Sequence, residues 1–261
     1  MSAAVPLPVD VRLMNATAAV AFAAAVGLLL AAFCWWAVRH PVFSLGGITV
    51  LGDVTHNSAA TLRANVAPRM AGNFFTVDLA ATRRAFEQVP WVRSAIVRRE
   101  FPNRLRVILQ EHRAEAFWGE EGTSRLVNSF GEVFEANAGD VEHDGLPRLA
   151  GPDGQAAHVL AMYRALAPLF EPLDLTLEAL ALTGRGSWQA ALDTGATIEL
   201  GRGEQAEVAP RVQRFVQTLT QVAARYGRRP EALVSADLRY QDGYALRLRG
   251  VGTVEAPAAR K

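Results

Sequence analysis

Pro90-Trp-Val-Arg-Ser-Ala-Ile-Val-Arg-Arg-Glu-Phe-Pro-Asn-Arg-Leu-Arg-Val107, followed by Glu111, is the stretch on which the fold turns. Val92–Arg99 and Leu105–Gln110 read as two strands joined through Glu-Phe-Pro-Asn. In the second, Leu105, Val107 and Leu109 alternate with Arg106 and Ile108, the pattern of a strand buried on one face. Upstream, Asp78 is a good N-cap for a helix that carries Leu79, Phe86 and Val89 at helical spacing and ends at Pro90. Asn57 or Ser58 caps a shorter helix with Leu62 and Val66, stopped by Pro68. Before it, Leu45, Ile48, Val50 and the closing Gly52 mark a short strand. Residues 43–113 therefore read β-α-α-β-β, with Ile48, Phe86, Trp91, Ile96 and Leu109 expected in the core.

Further toward the N-terminus, Leu13–Val38 contains no charged residue and is bracketed by Arg12 and Arg39. At ~1.5 Å per residue its 26 positions extend ~39 Å, beyond the ~30 Å hydrocarbon core of a bilayer. Trp35 and Trp36 stand at one end, where amphipathic aromatics favour the headgroup zone. A cleaved signal would have an apolar core of about 7–15 residues and a small-residue cleavage site; this run is longer and ends in Phe-Cys-Trp-Trp. An uncleaved membrane anchor is the expectation, with residues 1–12 as a short tail and His40-Pro41 as the helix stop. One arginine at each end leaves the orientation undecided by charge.

Downstream of Ala114 the texture changes to short strands broken by glycine, and 114–250 reads as a second, β-rich domain with helices. Ser124–Asn128 and Glu132–Glu135 form a hairpin about Ser129-Phe-Gly131, Pro147 to Pro152 is a loop, and Gln155–Phe170 is a helix. Strands follow at Leu175–Thr183, Trp188–Thr194 and Ala196–Leu200. The longest soluble helix, Glu204–Tyr226, places Val208, Val212, Phe215, Val216, Leu219, Val222 and Tyr226 on one stripe, with Arg211, Arg214 and Arg225 off it. Leu233–Gly250 is strand again. Its Gln241-Asp242-Gly243 segment reads as a three-residue hairpin loop that sets Tyr240 opposite Tyr244 and Leu238 opposite Leu246. The final strand has no structured successor, which makes it a candidate sheet edge for a partner strand. Residues 251–261 read as a frayed tail.

The composition excludes several function classes. Half of the residues are apolar and a fifth charged, as in folded protein, and the formal net charge of +1 carries no global field for nucleic acid. One cysteine, Cys34, builds neither an intrachain disulfide nor a thiolate cage, and the five histidines show no metal-ligand spacing. Gly201-Arg-Gly203-Glu-Gln-Ala206 matches the GxGxxA dinucleotide fingerprint. The Asp-Thr-Gly within Ala191–Leu200 makes the preceding strand part of a hairpin, however, and Asp237 comes 36 residues after the first glycine where about 20 are expected. A turn feeding a helix is the simpler reading. No catalytic constellation and no cofactor is expected, and the chain reads as a non-enzyme. Arg83, Arg84, Arg93, Arg98, Arg99, Arg104, Arg106 and Arg113 crowd about thirty residues; solvated strand faces account for them most simply, with anionic headgroups or an acidic partner as the functional reading.

The 90–107 stretch with Glu111 is similar to the "PW(V/I)…V.R..P..L.V….E" signature of the FtsQ/DivIB family of bacterial division proteins. Ile48-Thr-Val-Leu-Gly52, Ser187-Trp188, Leu200-Gly-Arg-Gly203, and Asp237-Leu-Arg-Tyr240 with Gly243 add to the likeness, while Ala114 departs from the proline common after the glutamate. The resemblance implies an α+β chain: an N-terminal transmembrane helix (13–38), a POTRA-type β-α-α-β-β domain (43–113), then the β-rich domain with helices. It implies a single-pass type II protein of the inner membrane, its bulk in the periplasm, concentrated at the septum. There it would act as a divisome scaffold that binds FtsB and FtsL homologues and other divisome proteins, with inner-membrane lipid around the anchor. The family binds FtsB partly by strand addition, which points to Arg239, Tyr240, Asp242, Gly243, Tyr244 and Leu246, with Arg185 beside Ser187-Trp188. A POTRA module of an outer-membrane assembly or secretion system is the alternative; such systems usually carry tandem repeats and a barrel.

Overall fold

The computed structural model describes residues 9–137, 139, 141, 145–241 and 243–252. The chain divides into two compact units, Met1–Glu111 and His112–Lys261.

The first unit begins with helix α1, Val9–Arg39, long and apolar enough to cross a membrane. A 3-10 turn, Pro41–Phe43, ends it and leads into β1 (Gly47–Gly52). Helices α2 (Ala59–Val66) and α3 (Leu79–Glu87) precede β2 (Val92–Glu100) and β3 (Arg104–Glu111). The sheet order is β1-β3-β2, with β1 parallel and β2 antiparallel to the central β3. Ser58 caps α2 and Asp78 caps α3, its Oδ1 accepting from the amides of Ala80 at 2.8 Å and Ala81 at 3.0 Å. Leu62, Val66, Ala85, Phe86, Val89, Val92, Ala95, Val107 and Leu109 close the core, and Ile48 packs at its margin.

One expected core residue faces the wrong way. Ile96 is 50% exposed, because a β-bulge between Val92 and Ser94 adds a residue to β2 and reverses the facing of everything after it. Ala95 and Val97 turn inward instead, while Ile96 pairs with Ile108 on the outer face.

Glu111, at the end of β3, ties down the connection between β1 and α2. Its side chain is 5% exposed. Oε2 accepts from the amides of Thr55 and His56, both at 3.0 Å, and meets His56 Nδ1 at 3.1 Å; Oε1 accepts from the Asn57 amide at 3.1 Å and from Asn57 Nδ2 at 2.9 Å. The same Asn57 amide group reaches the Pro90 carbonyl at 2.9 Å, and the His56 ring stacks on Trp91 at 3.9 Å. Trp91 is held at φ 70°, a conformation rare for a bulky side chain that these neighbours enforce. Gly52 is dictated by the same region: at φ +100° an added Cβ would stand 2.1 Å from the Leu109 carbonyl oxygen.

Among the described residues, the second unit is a nine-stranded sheet under two α-helices. Its strands are β4 (Ala114–Trp118), β5 (Arg125–Asn128), β6 (Val133–Glu135), β7 (Arg148–Ala150), β8 (Leu177–Leu182), β9 (Ser187–Leu192), β10 (Thr197–Arg202), β11 (Leu233–Asp237) and β12 (Ala245–Leu248). They lie in the order β12-β11-β10-β9-β8-β7-β4-β5-β6. Helices α4 (Ala156–Phe170) and α5 (Gln205–Ala224) pack against each other and against the sheet, burying Val159, Leu166, Phe170, Val208, Phe215 and Leu219 over Leu149, Leu180, Trp188 and Ile198. Two expectations need correction. The segment from Pro147 to Pro152 is not a loop: β7 lies parallel between β4 and β8 and buries Leu149 completely. The apolar stripe of α5 closes at Leu219 and Ala223, leaving Tyr226 beyond the helix end and 58% exposed.

Two outcomes follow for the first unit. Leu109→Ala should cost about 2–5 kcal/mol in denaturant unfolding of the chain in detergent, whereas Ile96→Ala should stay within about 0.5 kcal/mol of the parent. Burial works against ionisation of Glu111, but the bonds from the His56 amide and the Asn57 and His56 side chains outweigh it and hold its pKa below the ordinary 4.5. A depressed folded-state pKa gives stability that is present above the unfolded value and is lost as pH falls through the folded one. Glu111→Gln should therefore lower stability at neutral pH by about 1–3 kcal/mol and flatten its loss on acidification below the ordinary value, measured by unfolding across pH.

Candidate functional site

The site is the end of the large sheet, where the chain makes its last three strands. β10 pairs antiparallel with β9 and parallel with β11, and α5 carries the chain between β10 and β11. The hairpin read from Asp-Thr-Gly is present; the parallel partner on the other side of β10 was not anticipated. The loop at Gly201-Arg-Gly203 is filled by protein. Gly201, at φ +84° and in a bulge, lies under the Arg211 and Arg239 side chains, and Arg211 donates to the Leu200 carbonyl. Gly203 abuts the Glu207 side chain and its carbonyl accepts from Trp188 Nε1 at 3.0 Å. A phosphate at this helix start would meet the carboxylates of Glu204 and Glu207.

The expected C-terminal hairpin register is wrong. Ser235, Ala236 and Asp237 pair with Arg247, Leu246 and Ala245, so residues 238–244 form the connection and neither Tyr240 with Tyr244 nor Leu238 with Leu246 is a pair. Two interactions pull this segment away from a tight hairpin. The Leu238 amide donates to the Glu199 carbonyl at 2.8 Å, extending the parallel pairing with β10, and Leu238 is buried. The Asp237 carboxylate then takes the Arg239 amide at 3.0 Å and the guanidinium Nε and Nη2 at 2.8 and 2.6 Å. These bonds from Arg239 lower the Asp237 pKa and raise that of Arg239.

The backbone directions at the edge follow from this pairing. Leu238 and Ala236 address β10, so Ser235 and Asp237 address β12, and their partners Arg247 and Ala245 point back at β11. The Arg249 amide, donating to the Ala232 carbonyl at 2.8 Å, continues that alternation. The N–H groups of Leu246 and Leu248 therefore point out of the sheet. β12 is the terminal strand of the order, and these are its open donors.

Side chains divide by face. Tyr244 is turned inward: its hydroxyl bonds Thr218 Oγ1 of α5 at 2.7 Å and its ring meets Phe215 edge-on at 5.0 Å. Leu246 packs on the same core, and Leu248 is buried. Gly243, Tyr244 and Leu246 line an open groove of about 1180 Å³ between β12 and α5, with Arg214, Arg225 and Arg247 along it. On the opposite face Arg185, from the turn between β8 and β9, shares a groove of about 710 Å³ with Arg202, Arg211, Arg239 and Glu199. Tyr240 is 59% exposed. Asp242 lies outside the described residues. Arg247 and Arg214 were not among the expected contacts; both are legible only once β12 is placed beside α5.

Residues 43–112 match the POTRA domain, FtsQ-type, and residues 116–239 match the C-terminal model of cell division protein FtsQ/DivIB. The chain is 42% identical over 243 residues to cell division protein FtsQ of Burkholderia pseudomallei, covering 93% of this chain and 94% of that one. This chain belongs to the FtsQ/DivIB family. The FtsQ proteins of Thiomonas arsenitoxydans, 39% identical over 94% of this chain and 90% of that one, and of Bordetella pertussis, 38% identical over 92% of each, extend the match. The family assignment makes this a cell division protein, and the α+β architecture with an apolar N-terminal helix, a POTRA domain and a second β-rich unit is that of the expectation. The C-terminal family match ends at Arg239, so β12 lies outside it.

Because Tyr244 is a packing residue here, Tyr244→Ala should destabilise the second unit by about 2–4 kcal/mol and Tyr244→Phe by about 1 kcal/mol. Tyr240→Ala should stay within about 0.5 kcal/mol, all three read from thermal or urea unfolding.

Proposed function

We infer that this division protein is a membrane-anchored, non-catalytic scaffold whose edge strand β12 takes up an extended segment of an FtsB-type partner, itself paired with an FtsL homologue. In this reading α1 holds the chain in the inner membrane, the units after Arg39 work in the periplasm, and the scaffold acts at the septum. The observation that carries the reading is the open edge of β12. Two N–H groups point out of the sheet at Leu246 and Leu248, beside a strand locked to α5 through Tyr244. Strand addition takes affinity from such main-chain groups and selectivity from alternate side chains. The arginines on either side, Arg239 and Arg185 in one groove and Arg214, Arg225 and Arg247 in the other, favour an acidic partner segment. Family membership supports partners within the divisome.

Proline at position 246 tests the edge directly, since it removes an outward donor while leaving the β11-facing amides of Ala245 and Arg247 intact. Leu246→Pro should weaken binding of an FtsB-homologue segment roughly tenfold or more in calorimetry, with circular dichroism unchanged. Tyr240→Ala and Arg239→Ala should each cost about 1–3 kcal/mol of affinity. Parental affinity in a folded Leu246→Pro variant would place the interface elsewhere.

A further inference from the structure

One end of the first unit's sheet exposes apolar side chains, and the chain's own path places it at the end of α1. β1 leaves that end at Gly47, its parallel partner β3 begins beside it at Arg104, and β2 finishes there at Glu100. The β2–β3 turn thus lies on the side of the helix exit, where the Gly46 amide donates to the Asn103 carbonyl at 2.8 Å. This turn carries Phe101, 78% exposed. The 72–77 loop is drawn to the same place: the Phe74 amide donates to the Phe43 carbonyl at 2.9 Å, and Asn73 Nδ2 donates to the Val38 carbonyl in the last turn of α1. Phe75 rests edge-on against Phe43 at 4.8 Å and against Phe74 at 5.2 Å, and Phe74 meets Phe101 at 6.4 Å. Val42 and Phe75 remain 62% and 47% exposed.

Phe43 follows Arg39 by four residues, three of them in a 3-10 turn that rises about 2 Å per residue, so the Phe43 ring stands within about 10 Å of the last turn of α1. Phe75, Phe74 and Phe101 continue from it ring to ring. The charge-free run ends at Val38, with Trp35 and Trp36 just before it. A bilayer's polar zone adds about 5–8 Å beyond each side of its hydrocarbon, so the rings fall at headgroup depth or just outside it. A protein partner would need a gap of its own there, and a single helix with side chains already takes about 10–12 Å. Arg99 removes the usual objection to burying a loop: its guanidinium donates to the carbonyls of Phe74, Phe75 and Val77 at 2.7, 3.2 and 2.9 Å, so they are not left bare when water is displaced.

We propose that Val42, Phe75 and Phe101 form an interfacial lip that inserts among the lipids of the bilayer spanned by α1, seating the first unit on the membrane surface. This rests on α1 being a membrane anchor. Amphipathic protein surfaces that lie in the interface bury their apolar side by about 5–10 Å, which the lip reaches without moving α1.

The test uses the full chain in phosphatidylethanolamine–phosphatidylglycerol vesicles, in a Cys34→Ala background with one nitroxide label at a time. The label sits at Phe101→Cys, at Phe75→Cys, at Val54→Cys or at Leu29→Cys. Val54 is 44% exposed and lies beyond the far end of β1, and Leu29 lies within α1. Each labelled chain is first required to melt like the parent. The labels at 101 and 75 should lose access to a water-soluble nickel chelate and gain access to oxygen, following the label at 29, while the label at 54 stays open to nickel. Equal nickel access at 101, 75 and 54 with position 29 shielded would overturn the lip and leave the anchor standing. Nickel access at 29 as well would overturn both.

Discussion

Both units are built on a parallel pairing of strands that are distant in sequence, and a parallel pair cannot be joined by a tight turn. In the first unit β1 and β3 are bridged by α2, α3 and β2; in the second, β10 and β11 are bridged by α5. The bridging helices have to cross a face of their sheet, and there they bury Phe86 in one case and Phe215 with Leu219 in the other. The pairing also fixes where the next strand can go. With β11 held beside β10, the only open side for the next strand is the outer one, and β12 becomes the sheet's terminus.

Among the described residues, several charged side chains serve main-chain groups. Glu111 gathers the amides of residues 55–57, Arg99 gathers three carbonyls of the 74–77 loop, Arg211 reaches the Leu200 carbonyl, and Asp237 takes the Arg239 amide along with its guanidinium. Each replaces water at a bend that has no regular partner, which is the condition for burying such a bend at all. The dense arginines of 83–113 are therefore not one surface. Arg99 is used within the fold, while Arg106 pairs with Glu100 and Arg83 lies one turn from Glu87.

What was legible in the sequence is what repeats. The charge-free run of α1, the alternation of β3, the Asp78 cap and the stripe of α5 are periodic or stereochemical signals carried by adjacent residues. The misreadings each depend on a partner far along the chain. A bulge reverses Ile96, and nothing in Arg-Ser-Ala announces it. Leu149 is a strand residue because β4 and β8 flank it, though three residues are too few to show alternation. Gln241-Asp242-Gly243 looks like a hairpin loop in isolation, but Glu199 and Asp237 hold Leu238 and Arg239 outside it. For the candidate site, position at the edge was readable from order alone. Which way Tyr244 points was not, since Thr218 and Phe215 decide it from α5.

On the proposed reading of β12 as a docking edge, the open amides of Leu246 and Leu248 also define what a competitor for this surface must look like. They are two residues apart, so the donors repeat at about 6.6 Å along the strand, with an acceptor carbonyl between them. A compact molecule filling either neighbouring groove would satisfy neither. The matching shape is a strand mimic, an extended backbone or a rigid scaffold that reproduces its alternating donors and acceptors, and side-chain drift on this face would do little to evade it.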